Sequence, residues 1–209
     1  MPFRRLSRPC AAAWVHRRLP GLPSQEWDLR FRCAGTEATR AASLALSHVI
    51  EASGLTLSLI GPLGAGKTAF VKGMAEGLGI DPAGVSSPTF VIANQYEGPD
   101  GRRLAHVDLY RLETASELDD VGFLDMLEPG GIVAVEWGDR LPEALPRDRL
   151  ELRVERETGV EESRSFSASA TGRGSQRVLD AWQSRLREAS EQNLPRAHPG
   201  LVLERPETG

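Results

Sequence analysis

The sequence is poor in cysteine, in lysine and in long apolar stretches. Cys10 and Cys33 are its only cysteines and Lys67 and Lys72 its only lysines, among 209 residues. Two cysteines so placed build neither a disulfide framework nor a cysteine metal site. No apolar run approaches the ~20 residues that a membrane-spanning helix needs. What remains is ordinary for a soluble globular chain, with 40% hydrophobic and 26% charged residues. Its length suits one domain with tails.

Charge is unevenly spread. Residues 1–25 carry Arg4, Arg5, Arg8, Arg17 and Arg18 and no acid, while the formal total is −4, which leaves −9 for the rest. An acidic body is a poor stand-alone binder of nucleic acid, because neutralising phosphates takes clustered cations. A role in an RNA pathway would therefore run through partners. The Arg-rich start has the composition of an organelle-targeting peptide. Its Pro and Gly content and weak amphipathic period favour a disordered extension over residues 1–26 instead, with the body in the cytoplasm.

Periodicity then gives the elements. Trp27 to Arg32 alternates apolar and polar, as a half-buried strand does. Gly35 and Thr36 open a helix with Ala41, Leu44, Ala45, Val49 and Ile50 on its stripe and Gly54 as its stop. Leu55–Ile60 is a short apolar strand, and Lys67–Leu78 a helix ended by Gly79. Thr89–Ala93 and Leu104–Val107 flank the turn Gly98-Pro99-Asp100-Gly101, which predicts a hairpin. Thr114 and Glu117 have capping-box spacing. Ile132–Val135 reads as a buried strand ending at Glu136. Further strands are expected at Leu150–Val154 and Arg164–Ala170, and a helix over Gln176–Glu188 with Val178, Leu179, Trp182 and Leu186 on one stripe. The domain spans 27–190, and Pro, Gly and charge make 191–209 a disordered tail. The fold class is α/β, a sandwich whose mixed sheet is flanked by helices.

One segment carries chemistry outright. Gly61-Pro62-Leu63-Gly64-Ala65-Gly66-Lys67-Thr68 fits G-x-x-x-x-G-K-[ST] at every fixed position. Gly61 and Gly66 let the backbone curl around a phosphate without Cβ clashes, and Gly64 adds room. The turn feeds a helix start, where free amides and the dipole favour an anion. Lys67 supplies a point charge for the β- and γ-phosphates, and the Thr68 hydroxyl is a ligand for Mg²⁺. An apolar strand precedes the loop and a helix follows, as the motif requires, and this P-loop makes the expected sandwich P-loop NTPase-like. In a chain with two lysines, a chance match is rare.

Hydrolysis also needs an acid near the metal and a means of placing water. Asp108 and Glu136 both end apolar strands, where side chains reach such a loop. Mg²⁺ accepts one or two carboxylates beside waters and phosphate oxygens, so both are candidates. Strand-end acids are often only solvated caps, and the P-loop is what tips the balance. His106 shares the face of Asp108 by period two, although a lone strand histidine is more often packed than catalytic. Trp137 is placed to line a nucleotide site or to fill the core. Ser87 and Thr89 flank Pro88, as hydroxyls of a nucleotide-sensing switch would.

Taken together, the P-loop, Ser87-Pro88-Thr89-Phe90, His106-Val107-Asp108-Leu109-Tyr110-Arg111-Leu112 and Val135-Glu136-Trp137 closely resemble the bacterial TsaE family, formerly called YjeE. The resemblance covers roughly residues 29–172 and leaves out both ends. It implies an ATPase required for threonylcarbamoyladenosine at position 37 of tRNAs, working with TsaD and TsaB and touching tRNA only indirectly. It also implies that Thr68 and Glu136 bind Mg²⁺, Asp108 supports hydrolysis, and Ser87 and Thr89 form a switch-like segment. The nucleotide would contact Gly61, Gly64, Ala65, Gly66, Lys67, Thr68 and Ala69, with Trp137 and, more loosely, Thr36.

Two rivals remain. A small-molecule kinase would share the loop but needs an Arg-bearing lid, and only Arg140, Arg147 and Arg149 cluster near a suitable strand end. A nucleotide-gated binding module with little turnover overlaps with the family role. A GTP switch is disfavoured, since no Asn-Lys-x-Asp motif occurs.

Overall fold

A computed structural model describes residues 27–50, 53–157, 162–191 and 200–204. The Arg-rich extension and most of the expected tail lie outside the described residues. Eight strands form one sheet: β1 Leu29–Ala34, β2 Leu55–Ile60, β3 Ala93–Glu97, β4 Arg103–Asp108, β5 Ile132–Glu136, β6 Leu150–Arg156, β7 Ser163–Ala170 and β8 Leu201–Leu203. Their spatial order is β3-β4-β5-β2-β6-β7-β1-β8. The inner block β4-β5-β2-β6 is parallel, and the remaining pairings are antiparallel. This is the mixed α/β sheet expected.

Burial follows from that topology. Every residue of β2 is buried, because the central strand is covered on both faces. Strand β1 is packed on one face only, and buries Leu29, Phe31 and Cys33 in alternation. Burial in apolar surroundings pushes the Cys33 thiol up to about 12, which marks it as inert packing.

The helices are α1 Thr36–Ser47, α2 Lys67–Gly77, α3 Ala115–Asp120, α4 Phe123–Met126 and α5 Arg173–Glu191. One apolar layer unites α1, α2 and α5 with the sheet, and a smaller layer on α3 and α4 includes Val107, Leu109, Val133 and Val135. In the larger layer Phe31 stacks on Phe166 at 4.8 Å and meets Trp182 edge-on at 5.3 Å. The Trp182 indole donates to Ala42 O at 2.9 Å. Removing that side chain would cost roughly 3–5 kcal/mol by lost burial and cavity formation. No helix among the described residues is long and apolar enough to cross a membrane.

Three local expectations need correction. The buried face of α1 is Ala38, Ala42 and Leu46 with Thr39, Ser43 and Ser47, while Ala41, Leu44 and Ala45 are only half-buried. The reason is close helix packing: a Cβ on Gly73 or Gly77 of α2 would lie 1.9 Å from the Ser43 or Ser47 hydroxyl. The short Ser43 and Ser47 side chains against these glycines let the two backbones approach, and that approach turns the Ala41, Leu44 and Ala45 side of the helix partly outward. The strand expected at Thr89–Ala93 begins only at Ala93, since residues 89–92 turn and Ile92 has φ 70°. Within the expected tail, Leu201–Leu203 pairs antiparallel with β1 and closes that edge of the sheet. The capping box at Thr114 and Glu117 is formed as expected.

Candidate functional site

Strand register sets the site. Glu136 pairs with Leu59 on one side and Asp108 on the other, so both acids end level with the start of the P-loop. Ligands of parallel α/β sheets bind in that crevice, beyond the carboxyl ends of the strands. The loop itself needs its glycines. Gly61, Gly64 and Gly66 have φ of 148°, 70° and 114°, and a Cβ on Gly61 would lie 2.2 Å from Val154 O.

Lys67 follows at the first turn of α2 and is only 4% exposed. Its ammonium donates to Gly61 O at 2.8 Å and Pro62 O at 3.0 Å and lies 3.8 Å from the centre of the Trp137 ring. Burial holds this ammonium below the usual lysine range, against the opposing pull of Glu136, Asp108 and Asp139.

Thr68 Oγ1 donates to Glu136 Oε1 at 2.6 Å. His106 Nε2 lies 2.9 Å from the same oxygen. Burial would raise the Glu136 carboxyl, but hydrogen bonds from His106 and Thr68 and the charges of His106 and Lys67 hold it below the usual carboxylate range. The carboxylate is therefore ready to ligate without first losing a proton. His106 is wholly buried, and among the described residues its Nδ1 has no hydrogen-bond partner. Sequence reasoning gave this residue too little weight, because its contact to Glu136 depends on how β4 docks beside β5.

Asp108 does different work. Its Oδ2 accepts from Ser87 Oγ at 3.1 Å and Thr89 Oγ1 at 2.6 Å, and its Oδ1 from the Tyr110 amide at 2.8 Å. The acid thus ties the Ser87–Thr89 segment to the end of β4. Trp137 has φ 61°, unusual for a side chain of that size, and its ring packs against Tyr110 at 5.0 Å. Strain of this kind clusters at functional sites.

These groups enclose a pocket of about 550 Å³ lined by Leu63, Gly64, Gly66, Lys67, Thr68, Ala69, Ser87, Thr89, Asp108, Tyr110, Glu136 and Trp137. Most of the predicted residues are thus brought together. Gly61 and Ala65 support the loop without lining the pocket, and Thr36, although at the same end of the sheet, is exposed and does not line it. Tyr110 and Leu63 are additional lining residues, and both stood within the motif segments that carry the resemblance. Arg140 donates to Leu112 O, and Arg149 to Glu151 and Pro146 O, so neither lines the pocket as a kinase lid would.

The donor set is made of oxygens, namely one hydroxyl and one or two carboxylates, beside a glycine cradle. It fits Mg²⁺, which takes few protein ligands and completes its shell with water and phosphate. No cluster of three or more His, Cys, Asp or Glu that could hold a metal occurs among the described residues.

Comparison with known proteins agrees with this geometry. Residues 33–166 match the family model of the threonylcarbamoyl adenosine biosynthesis protein TsaE. The tRNA threonylcarbamoyladenosine biosynthesis protein TsaE of Bacillus subtilis is 40% identical over 142 residues, which is 68% of this chain and 86% of the relative. Its Streptomyces coelicolor counterpart is 41% identical over 131 residues, 62% and 86% of the two chains. The crystal structure of Bacillus subtilis YdiB aligns with a TM-score of 0.57 at 31% identity, covering 77% of this chain and 95% of that one. With the P-loop, the strand-end acids and the switch-like hydroxyls all in one pocket, the chain belongs to the TsaE family of threonylcarbamoyl adenosine biosynthesis proteins.

Proposed function

We propose that this chain is a magnesium-dependent ATPase, slow on its own. In this reading it acts in the cytoplasm with TsaD and TsaB to support threonylcarbamoyladenosine formation at tRNA position 37. The observation that carries the chemical part is the contact of Thr68 with Glu136 at 2.6 Å. A helix-start hydroxyl and a strand-end carboxylate, 68 residues apart in sequence, meet where a P-loop protein holds its metal.

Each residue then has a task. The P-loop amides and the Lys67 ammonium bind and orient the triphosphate. Thr68 and Glu136 would hold Mg²⁺, and Asp108, at the end of the neighbouring strand, would be the further acid of the metal site. The bound ion supplies positive charge against the negative charge that spreads over the transferred phosphoryl oxygens. Trp137 and Tyr110, packed on each other, wall one side of the pocket. Asp108 supports hydrolysis by keeping the Ser87 and Thr89 hydroxyls at the pocket wall. Water attacks the γ-phosphorus, the bond to the β-phosphate oxygen breaks, and ADP and phosphate leave.

The partner assignment is supported by family membership and by the acidic body, which disfavours direct tRNA binding. Reconstituting the tRNA modification with TsaD and TsaB tests it, with this chain, without it and with its Lys67→Ala form. Repeated turnover is expected only with the unaltered chain. Undiminished turnover in its absence would remove the pathway role and leave ATP hydrolysis standing. Calorimetry that detects no adenine nucleotide uptake by folded protein would remove both.

A further inference from the structure

Arg156 ends β6 and Arg164 is the second residue of β7, and the two face each other as direct cross-strand partners. Like charges so opposed weaken an antiparallel pair, so the placement calls for compensating contacts. Both side chains find them on the P-loop. Arg156 donates to Gly64 O from Nε at 3.0 Å and from Nη2 at 2.8 Å. Arg164 donates to Ala65 O from Nε at 2.8 Å, while its Nη1 donates to Ser163 O at 2.8 Å. Neighbouring peptides of the loop are thus held from outside by residues about a hundred positions away.

The consequence follows from peptide geometry. In a trans peptide the carbonyl and the next amide point in opposite directions. A guanidinium that holds Gly64 O or Ala65 O toward the β6–β7 hairpin turns the following N–H away from it. The Ala65 amide closes the loop turn on Pro62 O at 3.2 Å. The Ala65 carbonyl that Arg164 holds belongs to the same peptide as the amide of Gly66, a residue that lines the pocket. The guanidiniums also cover two carbonyl dipoles whose negative ends would otherwise repel a polyanion, and they polarise the amides beyond them. Gly64, a variable position of the motif, has its own reason here: at φ 70° a Cβ would lie 2.4 Å from Arg156 Nη2.

We propose that Arg156 and Arg164 are positioning residues of the nucleotide site: Arg156 fixes the Gly64–Ala65 peptide, whose amide closes the loop turn, and Arg164 fixes the Ala65–Gly66 peptide at the pocket, so that the loop is preset for phosphates common to ATP and ADP. The inference rests on the nucleotide-binding reading above and goes beyond it by assigning residues outside the motif and the pocket lining.

Calorimetry on the full chain with Mg·ADP and a non-hydrolysable ATP analogue tests this, for Arg156→Ala, Arg164→Ala and the double variant. Each alanine is expected to weaken both ligands by the same factor, about tenfold, as for the loss of a charged hydrogen bond. The kcat at saturating ATP should stay within about twofold, because ground and transition states lose the same contact. Glutamine at both positions keeps an N–H donor without the charge and should recover part of the affinity. Should the double alanine chain lack a cooperative melt, the single variants and the glutamine pair carry the same comparison. Unchanged affinity in every alanine variant would overturn the proposal. So would a loss confined to the triphosphate with a fall in kcat, which would mean direct contact with the γ-phosphate. Nucleotide uptake by the unaltered chain separates these results from failure of the binding reading itself.

Discussion

Gly61–Thr68 is gripped on every side. A fully buried strand leads in, a helix leads out, Lys67 bonds back to two of its carbonyls, and two arginines hold it from outside. Ser87–Ile92, across the same pocket, is fastened at its two ends by Asp108, whose carboxylate takes the Ser87 and Thr89 hydroxyls and whose amide donates to Ile92 O at 2.9 Å. Its Phe90 and Val91 are 87% and 63% exposed, and Ile92 sits at positive φ. Few buried apolar contacts and an unfavourable backbone angle are marks of low local stability. In the proposed function the firmly held wall binds and the more loosely held one responds. Asp108 joins that second wall to the sheet through both its carboxylate and its amide.

The largest effect should come from the binding wall. Lys67→Ala is expected to lower ATP hydrolysis about a hundredfold or more, the scale on which a preset charge contact to the transferred group acts. A phosphate-release assay checks this, and activity within a few-fold of the unaltered chain would break the contrast at its stronger end. Next comes the joint. Asp108→Asn should cut hydrolysis by roughly tenfold, as loss of a charged hydrogen-bond acceptor does, while ADP affinity changes little. Equal losses in both measurements would show that the two walls are one unit.

A smaller effect concerns pH. The Glu136 carboxyl is depressed in the folded chain, so its contribution to stability is full above the unfolded value of about 4.3 and is lost as pH falls through the folded value. The stability difference between the unaltered chain and Glu136→Gln, followed by urea unfolding from pH 7 to pH 3, should shift against the unaltered chain as acid is added. A difference independent of pH would remove the claim that Thr68 and His106 favour the ionised form. The least effect on the isolated protein is expected from Phe90→Ser. Its melting temperature should stay within about 2 °C, as for a surface change. A marked loss would show that the exposed segment is more firmly packed than its surface suggests.

How much of this was legible before the structure depended on locality. The strand–loop–helix at Leu55–Gly77 could be read because each signal lies within a few residues of the feature it sets. The hairpin turn at Gly98–Gly101 and the box at Thr114 and Glu117 were legible for the same reason. The face of α1 was misread because apolarity was weighed alone, whereas the helix turns Ser43 and Ser47 toward Gly73 and Gly77 of α2, a contact set by tertiary packing. The helix expected from Gln176 starts at Arg173, since Asp148 caps the Gly174 and Ser175 amides from a distant loop. Strand β8 is three residues long, and it is held by the β1 edge it pairs with and by packing of Leu201 and Leu203 on the main core, both distant in sequence.

The sequence by itself determined the phosphate-binding loop, since glycine conformational freedom and the chemistry of one lysine and one threonine act within eight consecutive residues. It also put acids at two strand ends. Only the tertiary structure decided that Glu136 faces Thr68 and His106, that Asp108 fastens Ser87 and Thr89, and that Arg156 and Arg164 brace the loop. Those contacts depend on the register of strands far apart in the chain, and register follows from the packing of both sheet faces together rather than from any one segment.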